Sequence, residues 1–493
     1  MKIVEVRPLV LGDAWRNLTF VVVRTDEGIE GVGEVRMINH TSALLGYLEE
    51  AVPTHVIGAD PFALEALARR MIRDDYARAG QIAMSALAVI EIACWDIIGK
   101  SLGVPVYRLL GGAINDRVAT YANGWYTVER TPAEFRDAAR RTIARGYRAL
   151  KLDPFGTAWQ ELSAGELRRA IALVEAVREG AGPDAEVFVE MHGRFTPAQA
   201  IAIARELEPY RPGWIEEPVP PDNAKAMAKV ARATRVPIAS GERIHVRHEF
   251  RELFELDAVD IIQPDLTMMG GISETRKLAT WAESYNVLVA PHNVGGPVST
   301  MAAIHLAAAT PNFKILEHFN DFTAPFVKEA ARGVPDVVDG AFPLPTAPGL
   351  GITLDEAVIA AHPRRPVHLN LFGDQWHLRG REPGVEGAEP LRETGSKRMA
   401  AKPTWAFRSP AVARSSPAAE RASATGSHAS SRDRARTSRS TTRTARTARS
   451  RSVRRSRRSA AEWRSCPRIC RSRAPAAVSS TTRWPRWAGW RYS

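Results

Sequence analysis

The stretch VFVEMHGR, residues 187–194, opens a pattern in which a short apolar run ends on a glutamate. Glu190 ends this run, and Glu216 in WIEEP and Glu242 in ASGER follow at intervals of 26 residues each. One strand, one helix and their connections occupy about this length in a parallel α/β barrel. The pattern therefore predicts three adjacent parallel strands that carry their glutamates at the same height, at the carboxyl-terminal face of a barrel.

The same alternation of a short apolar strand and a helix continues on both sides of this stretch, from Val118 to about Phe319. Eight such strands with helical segments between them are typical of a (β/α) barrel, so the predicted fold class is α/β. The predicted strands are Val118–Ala122, Ala149–Leu152, Val187–Met191, Trp214–Ile215, Pro237–Ala239, Ile261–Gln263, Val287–Ala290 and Lys314–Leu316.

Different patterns precede and follow the predicted barrel. Residues 17–24 and 29–35 are apolar runs on either side of the turn TDEG, which indicates a hairpin, and residues 41–100 show helical periodicity. We therefore divide the chain into four parts. They are an α+β unit over residues 1–115, the barrel over 116–335, a segment of loops and short strands over 336–390 that packs back on the barrel or the first unit, and a tail over 391–493.

The formal charge of +12 comes from the tail alone. Residues 391–493 hold 26 Lys and Arg against 4 Asp and Glu, which leaves 41 against 51 for residues 1–390. The tail also contains only six Leu, Ile, Val and Phe residues, so it cannot bury enough apolar surface to offset the entropy lost on ordering. We predict a disordered basic tail on an acidic body.

Two explanations of the tail are open. An arginine-rich chain with interleaved Trp484, Trp487 and Trp490 could bind nucleic acid through phosphate contacts and base stacking, which is the alternative function of another class. The abrupt change to Arg, Ser, Ala, Thr, Pro and Trp is also what a GC-rich gene gives when it is read out of frame. We favour a frameshift product or an inert tail over nucleic-acid binding.

The three cysteines exclude a disulfide scaffold and a zinc-cluster protein. Cys466 and Cys470 lie in the tail without a second Cys or His pair, and Cys94 lies in an apolar helical run, where we expect a buried reduced thiol. The N-terminus reaches Glu5 and Arg7 before any long apolar run forms, which is unlike a signal peptide. We therefore expect a cytoplasmic protein without a membrane partner.

Three converging carboxylates repel one another and raise one another's pKa unless a cation lies between them. Oxygen ligands in this number, with positions left for water and substrate, suit Mg²⁺. Glu190, Glu216 and Glu242 are therefore the predicted metal ligands, with Mg²⁺ as the cofactor. A single glutamate at a strand end can also cap a helix or face solvent, but three in register argue against that explanation. Glu217 points to the opposite side of its strand and is a weaker candidate.

The later strand ends carry further polar residues. Asp265, His292 and Glu317 follow Glu242 at successive intervals of 23, 27 and 25 residues. Imidazole exchanges its proton near neutral pH, and a carboxylate beside it fixes its tautomer and raises its basicity. We predict that Asp265 and His292, on neighbouring strands, form such a pair.

A second imidazole follows the first predicted metal ligand. His192 lies two residues after Glu190, and residues at this spacing on a strand face the same side. We therefore predict that both side chains look into one cavity. Two imidazoles across a metal-bound substrate suit an elimination, in which one removes a proton and the other protonates the leaving group.

Together these motifs resemble the enolase superfamily, mandelate racemase subgroup, over roughly residues 1–385. Glu216 lies in WIEEP, Glu242 in GER, and residues 85–112, with ACWD and GK, are similar to the capping-domain pattern of the subgroup. The resemblance implies a (β/α)7β modified TIM barrel under an N-terminal α+β capping domain. It also implies that Mg²⁺ holds the substrate carboxylate and stabilises the enediolate that forms when the α-proton leaves.

Within the subgroup, the place of His192 is similar to that in galactonate dehydratase-like acid-sugar dehydratases. By that resemblance His292, with Asp265, takes the C2 proton of an aldonate such as galactonate or gluconate. His192 then protonates the departing 3-hydroxyl, and the resulting enol becomes a 2-keto-3-deoxy acid. Glu317 is expected to hydrogen-bond the substrate carboxylate or the enediolate oxygen.

Two positions depart from the subgroup. The second strand ends in Lys151-Leu152-Asp153 instead of the Lys-x-Lys that presents a lysine base in racemases, which disfavours a two-base racemase. Lys151 either assists carboxylate binding or forms an ordinary salt bridge at the strand end. Glu190 stands where Asp is commoner, which shifts the metal but keeps the ligand type. An epimerase, racemase or cycloisomerase of a related sugar acid is the alternative activity.

By the same resemblance, loops of the capping domain close over the barrel mouth and select the substrate. Arg and Asn side chains bind hydroxyl and carboxylate groups, and Trp covers the site. The predicted substrate contacts are Trp15, Arg16, Asn39 and His40 in these loops, and Tyr121 and Asn123 on the first barrel strand, for which packing or turn roles are equally open. We expect a sugar acid as the small-molecule ligand and a homo-oligomeric assembly.

Overall fold

A computed structural model describes residues 1–74, 76, 79–373 and 407–408 of the protein. An antiparallel sheet and a set of helices form its N-terminal part. The strands are β1 (Ile3–Gly12), β2 (Asn17–Thr25) and β3 (Glu30–Val35), and the predicted hairpin is present as β2 and β3. The helices are α1 (Thr41–Ala51), α2 (Leu64–Ala68), α3 (Gln81–Leu102) and α4 (Val106–Leu109), with π-helical turns at Val52–Val56 and Arg69–Arg73.

The strand β2 is apolar along its length because both of its faces are buried. Val21 packs in one apolar cluster with Val89 of α3, and Phe20 packs in another with Met301 of the barrel. On β3, a Cβ added to Gly33 would collide with the carbonyl oxygen of Val89, so glycine lets strand and helix come into direct contact. The N-terminal unit and the barrel therefore share one apolar core.

The helix α3 is the core helix of the N-terminal unit. Among the described residues, this helix alone is long enough and apolar enough to cross a membrane. Most of its apolar stretch, however, is buried inside the protein. Cys94 on this helix is buried and carries a free thiol, as predicted, and burial raises the pKa of that thiol. Such a thiol is unreactive, because the thiolate is the reactive form.

Eight parallel strands follow, and helices connect each to the next. The strands are β4 (Arg117–Ala122), β5 (Ala149–Leu152), β6 (Glu186–Glu190), β7 (Trp214–Glu216), β8 (Ile238–Ser240), β9 (Ile261–Ile262), β10 (Leu288–Val289) and β11 (Leu316–His318). The helices are α5 (Pro132–Ala144), α6 (Ala164–Ala181), α7 (Pro197–Leu207), α8 (Ala224–Ala231), α9 (Arg251–Glu255), α10 (Ile272–Glu283) and α11 (Pro297–Ala308), with 3-10 turns at Glu208–Tyr210, Arg247–Phe250 and Asn320–Phe322. All eight predicted strands are present, with ends displaced by at most two residues.

The row of strands curls back on itself. It runs from β4 to β10 in chain order, and β11 pairs in parallel with β4. At the other end, Val289 of β10 donates a backbone hydrogen bond to Asn312 and accepts one from Lys314, just before β11. The predicted α/β fold, a (β/α)7β barrel with an N-terminal capping domain, is thereby confirmed.

An aromatic layer fills the barrel interior beside the carboxyl ends of the strands. The rings of Phe188 and Trp214 stack with centroids 3.5 Å apart, and Tyr121 meets both rings edge-on. The indole Nε1 of Trp214 donates a hydrogen bond of 3.0 Å to Glu216. The polar strand ends therefore stand on an apolar floor, where charges interact more strongly than in water.

Two carboxylates of the N-terminal unit bind the N-termini of barrel helices. Glu91 of α3 accepts a hydrogen bond of 2.9 Å from the backbone of Ile272, the first residue of α10. Glu34 of β3 accepts one of 2.9 Å from the backbone of Val298, in the first turn of α11. The glycine before each helix leaves room for the carboxylate, because a Cβ there would collide with it. These contacts fix the capping domain to the barrel at helix ends that favour anions.

The C-terminal segment packs on both parts of the protein. It contains α12 (Pro325–Glu329), β12 (Ala331–Arg332), β13 (Ala341–Pro343), β14 (Thr353–Leu354) and α13 (Glu356–Ala361). The strand β13 pairs antiparallel with β4 of the barrel, and Glu356 of α13 accepts two hydrogen bonds, of 2.7 and 2.8 Å, from Arg7 of β1. Barrel and capping domain were the two alternatives predicted for this segment, and it contacts both.

Two residues of the predicted tail belong to the described part of the chain. Phe407–Arg408 form β15, which pairs antiparallel with β1 and sets Phe407 opposite Val6. Phe407 also packs against the apolar cluster of the N-terminal unit. The tail residues Cys466, Cys470, Trp484, Trp487 and Trp490 lie outside the described residues.

A buried imidazole on α11 is held neutral by its neighbours. The backbone N–H of Tyr107 donates a hydrogen bond of 3.2 Å to His305 Nδ1, and His305 Nε2 lies 3.2 Å from the carbonyl oxygen of Leu350. The ring can satisfy both contacts only with its proton on Nε2. Burial lowers the pKa of His305 to about 4, although the hydrogen bond with Leu350 opposes this shift.

We expect His305 to make the protein less stable in acid. A histidine in an unfolded chain titrates near pH 6.5, so the free energy of unfolding should lose about 3 kcal/mol from this group as the pH falls from about 6.5 through 4. His305→Gln should flatten the curve over this range in urea unfolding, whereas His248→Gln, at an exposed position, should not. Equal pH dependence in the wild type and His305→Gln would contradict the assignment.

Candidate active site

Three buried glutamates meet at the carboxyl ends of β6, β7 and β8. Glu190 and Glu216 are partners in the sheet register, and Glu242 follows the end of β8 by two residues. One oxygen of each carboxylate lies within 4.8 Å of the corresponding oxygens of the other two. An oxygen-only ligand set at this spacing fits a hard divalent cation such as Mg²⁺. The structure thus brings the three predicted metal ligands together.

Lys151 of β5 lies against this cluster. Its Nζ is 2.7 Å from Glu216 Oε1, 3.2 Å from Glu190 Oε2 and 3.0 Å from Glu317 Oε1. Lys151 therefore forms a strand-end salt bridge, which was one of its two predicted roles. Its partners, however, include two of the predicted metal ligands, so the ammonium offsets charge at the centre of the site.

The charge of Lys151 is fixed by its surroundings. Burial lowers the pKa of Lys151, but the carboxylates, Glu216 above all, outweigh burial and hold the pKa well above its usual value. In turn, burial and the neighbouring charge of Glu190 raise the pKa of Glu216. A lysine held as ammonium cannot accept a proton, which agrees with the lack of a Lys-x-Lys base on this strand.

His292 follows β10 and pairs with Asp265, which follows β9. His292 Nδ1 is 2.8 Å from Asp265 Oδ2, and the hydroxyl of Thr267 donates a hydrogen bond of 2.6 Å to Asp265 Oδ1. His292 Nε2 lies 3.1 Å from Glu242 Oε2, so both ring nitrogens face carboxylates. Burial lowers the pKa of His292, but these carboxylates, Glu242 above all, outweigh it and raise the pKa to about 9. The predicted pair is thus in contact with a predicted metal ligand.

His192 reaches the site from the turn after β6. Its Nδ1 is 2.8 Å from Asp153 Oδ2, and its backbone N–H donates a hydrogen bond of 2.7 Å to Glu190 Oε1. The reason given for its position is wrong, however, because β6 ends at Glu190 and His192 has a φ of 48°, in the left-handed region. A tight turn, rather than alternation along a strand, places this imidazole.

Asp153 is a buried carboxylate of the site that the sequence analysis treated only as a departure. It directly follows β5 and accepts hydrogen bonds from His192 and from Arg194. Burial raises the pKa of Asp153, but Arg194 and His192 outweigh it and hold the pKa well below its usual value. The position was predictable, because Asp153 is a strand-end residue like the six that were selected.

Glu317 of β11 is held by three donors. Asn123 Nδ2 is 2.7 Å from Glu317 Oε1, the backbone N–H of Asn293 is 2.9 Å from Oε2, and Lys151 completes the set. Burial raises the pKa of Glu317, but Lys151 and then His292 outweigh it and lower the pKa. Asn123, a predicted substrate contact, therefore binds Glu317. An ionised Glu317 only accepts, so it must gain a proton before it can hydrogen-bond a substrate carboxylate.

Two of the predicted capping-domain contacts reach the end of β11. The ring of Trp15 lies 5.6 Å from that of Phe319, and the guanidinium of Arg16 lies 4.5 and 5.2 Å from these two ring centroids. Arg16 also donates a hydrogen bond to the carbonyl oxygen of Val294. The turn between β1 and β2 thus packs on the barrel mouth, with Arg16 engaged by protein groups.

The other two predicted capping-domain contacts do not join the carboxylate cluster. Asn39 is exposed, donates a hydrogen bond of 3.0 Å to the carbonyl oxygen of Leu369 and accepts one of 2.8 Å from its N–H. His40 is exposed as well, with its Nδ1 3.0 Å from the carbonyl oxygen of Ile38. The Asn39 amide is used to anchor the C-terminal segment on the capping domain.

Arg36, the residue after β3, is a cation of the site that the sequence analysis missed. It is buried, and its Nε has no hydrogen-bond partner among the described residues. Burial lowers the pKa of Arg36, while the charges of Asp265, Glu242 and Glu317 raise it, so its guanidinium faces the carboxylates of the barrel. Its place next to the predicted loop around Asn39 was the available signal.

Two further candidates lie outside the cluster. Tyr121 belongs to the aromatic layer, and its buried hydroxyl has no hydrogen-bond partner among the described residues, which agrees with the packing role left open for it. Glu217 has a φ of 40° and binds Arg243, with 2.6 Å between Oε2 and Nη2. Its side chain is thus engaged away from the three-glutamate cluster.

Two family models match the chain. Residues 10–111 match the mandelate racemase / muconate lactonizing enzyme, N-terminal domain, and residues 134–358 match the enolase C-terminal domain-like family. Both matches agree with the resemblance found in the sequence.

Proteins named as sugar-acid dehydratases are similar to this chain over most of their own length. D-galactonate dehydratase from Verminephrobacter eiseniae is 35% identical over 371 residues, which cover 74% of this chain and 95% of the relative. D-gluconate dehydratase from Thermoproteus tenax is 34% identical over 389 residues, which cover 76% and 77%. Dehydratases are hydro-lyases, so the names of these relatives confirm the predicted enzyme class.

Solved structures agree with the fold. A mandelate racemase/muconate lactonizing enzyme-like protein from Roseovarius sp. superposes with a TM-score of 0.71 and 35% identity, and covers 75% of this chain and 98% of its own. A mandelate racemase/muconate lactonizing enzyme from Sulfitobacter sp. gives a TM-score of 0.70 at 35% identity, with 74% and 96% covered. The chain therefore belongs to the enolase superfamily, in its mandelate racemase and muconate lactonizing enzyme group.

Proposed function

We propose that this protein dehydrates an acid sugar, an aldonate such as D-galactonate or D-gluconate, to a 2-keto-3-deoxy acid with the help of Mg²⁺. One observation carries the proposal. Two imidazoles, each paired with an aspartate at 2.8 Å, adjoin the same cluster of three glutamates, His292 through Glu242 and His192 through Glu190. The names of the dehydratase relatives support the same reaction.

The three glutamates would hold the cation. Glu190, Glu216 and Glu242 supply buried oxygens at a suitable spacing, and Mg²⁺ bound there would stabilise the negative charge that develops on the substrate carboxylate. Lys151 is already in contact with this cluster and offers its ammonium to the same carboxylate. The substrate carboxylate is thus expected to face Lys151.

His292 is proposed to remove the C2 proton once the ring has lost its own, because only the neutral imidazole is a base. Its Nε2 faces the interior of the site, while Asp265 binds Nδ1 and stabilises the imidazolium that forms. The electron pair of the broken C2–H bond passes into the carboxylate and gives the enediolate. Glu317, once it carries a proton, can hydrogen-bond an oxygen of that group.

His192 is proposed to protonate the leaving group. The enediolate electrons form the C2–C3 double bond while the C3–O bond breaks, and the departing oxygen takes a proton from the imidazole and leaves as water. The enol that remains tautomerises to the 2-keto-3-deoxy acid. Epimerase, racemase and cycloisomerase activities have less support, because β5 leads into Lys151-Leu152-Asp153 and lacks the Lys-x-Lys that presents a lysine base in racemases.

A substrate panel tests the proposal. The full chain with Mg²⁺ should convert D-galactonate, D-gluconate or another aldonate to a 2-keto-3-deoxy acid, assayed by product formation. His292→Asn should lower turnover by about 10²-fold or more, because it removes the base, and should leave Mg²⁺ binding intact. Glu186→Gln, at an exposed salt bridge with Lys314, is the control and should keep full activity.

Two results would contradict the proposal. Exchange of the C2 proton with solvent across a panel of aldonates and aldarates, without any keto acid, would favour an epimerase. Unchanged turnover in His292→Asn would exclude this residue as the base.

Arg36 is proposed to bind the substrate from the capping domain. Loss of a charge-assisted hydrogen bond costs about 1.5–3 kcal/mol, so Arg36→Met should raise KM for the aldonate about 10-fold or more, and Arg36→Lys should restore part of the loss. Arg24→Met, at the partly exposed salt bridge with Glu5, is the control. An unchanged KM in Arg36→Met would show that Arg36 only balances the charge of the barrel carboxylates.

A further inference from the structure

Asp153 is a fully buried carboxylate that the proposed proton transfers do not use. Its Oδ1 accepts a hydrogen bond of 2.9 Å from the backbone N–H of Phe155, and its Oδ2 faces both His192 Nδ1 and Arg194 Nη2. Its carbonyl oxygen accepts a hydrogen bond of 3.0 Å from Arg130. The carboxylate is therefore fixed in position from three directions.

Arg194 makes this arrangement rigid. The guanidinium is fully buried and donates to the carbonyl oxygens of Met191 at 2.9 Å and Gly156 at 2.8 Å, in addition to Asp153. These contacts join the turn after β6 to the loop after β5. The arginine thus fixes Asp153 relative to the turn that carries His192.

The pairing with Asp153 determines which nitrogen of His192 faces the site. An ionised carboxylate only accepts hydrogen bonds, so His192 Nδ1 must carry a hydrogen to bind Asp153 Oδ2 at 2.8 Å. The neutral ring then has its lone pair on Nε2, so it must first bind a proton there, and the imidazolium that forms is the acid. The side chain keeps 16% of its surface exposed, and the described residues provide no hydrogen-bond partner for Nε2.

We infer that Asp153 is a positioning residue for the proton that His192 gives to the leaving hydroxyl. It holds the imidazole in one tautomer and one orientation, with Nε2 towards the substrate. This inference rests on the proposed function. Asp153 pairs with His192 as Asp265 pairs with His292, so each half of the elimination has its own carboxylate–imidazole unit.

The two units serve different bonds, which makes the inference testable. Breakage of C2–H requires His292, whereas breakage of C3–O requires the proton from His192. Without the orienting carboxylate, the C2 proton should still leave and return, but the hydroxyl should no longer depart at the normal rate. A residue that only supports the fold would affect both steps together.

The experiment compares solvent exchange with dehydration in the full chain. With Mg²⁺ and D-gluconate or D-galactonate in D2O, Asp153→Asn should form the 2-keto-3-deoxy acid about 10²-fold more slowly than the wild type. Deuterium should still enter C2 of the recovered substrate. His192→Asn should show the same separation, Asp265→Asn should lose both exchange and dehydration, and Asp153→Glu should recover part of the product rate.

Three outcomes would overturn the inference. They are an unchanged product rate in Asp153→Asn, an equal loss of exchange and product in that variant, and a separation in His192→Asn that Asp153→Asn does not share. A wild type that makes no keto acid from any aldonate would instead refute the proposed function.

A second measurement does not depend on the folding of an Asp153 variant. In the wild-type chain labelled with ¹⁵N-histidine, with Mg²⁺ and at a pH where the ring is neutral, two-bond ¹H–¹⁵N correlations report the tautomer of each imidazole. His192, assigned by its loss in His192→Asn, should carry its hydrogen on Nδ1. A hydrogen on Nε2 would refute the orientation by Asp153.

Discussion

Like charges buried at the ends of parallel strands are the constraint on which the rest of the site depends. One carboxylate oxygen each of Glu190, Glu216 and Glu242 lies within 4.8 Å of the other two, a spacing at which all three could bind one cation. The cluster lies above an apolar floor, where the repulsion between the carboxylates is poorly screened. Lys151 offsets part of this charge, and His292 is drawn to the same carboxylates. A divalent cation bound there would reduce the repulsion further, and we propose that it allows this acidic centre to bind a sugar acid.

The capping domain is fixed over this centre by buried contacts. Glu34 and Glu91 bind the starts of α11 and α10, and both faces of β2 contribute to apolar clusters. Burial raises the pKa of each of these two glutamates to about 7, against the hydrogen bonds that lower it. The same attachment brings Arg36 towards the barrel carboxylates, so the domain interface and the substrate site share structural elements.

The repeated strand ends made much of the fold and part of the site predictable. Parallel strands of equal spacing bring Glu190 and Glu216 into register, and the same periodicity set the positions of Asp265 and His292. His192 was placed for the wrong reason, because a left-handed turn cannot be read from strand alternation. Arg36 was missed and Asn39 was given a substrate contact, because side-chain directions in loops depend on tertiary contacts such as that of Asn39 with Leu369.

The central claim is that the three glutamates form a divalent cation site whose charge Lys151 balances. The most direct test is a crystal structure of the full chain with Mn²⁺, which replaces Mg²⁺ and gives an anomalous signal. We predict one peak bound by an oxygen each of Glu190, Glu216 and Glu242, with Lys151 Nζ still within reach of Glu317. A peak elsewhere, or none between these three carboxylates at a saturating concentration of Mn²⁺, would contradict the claim.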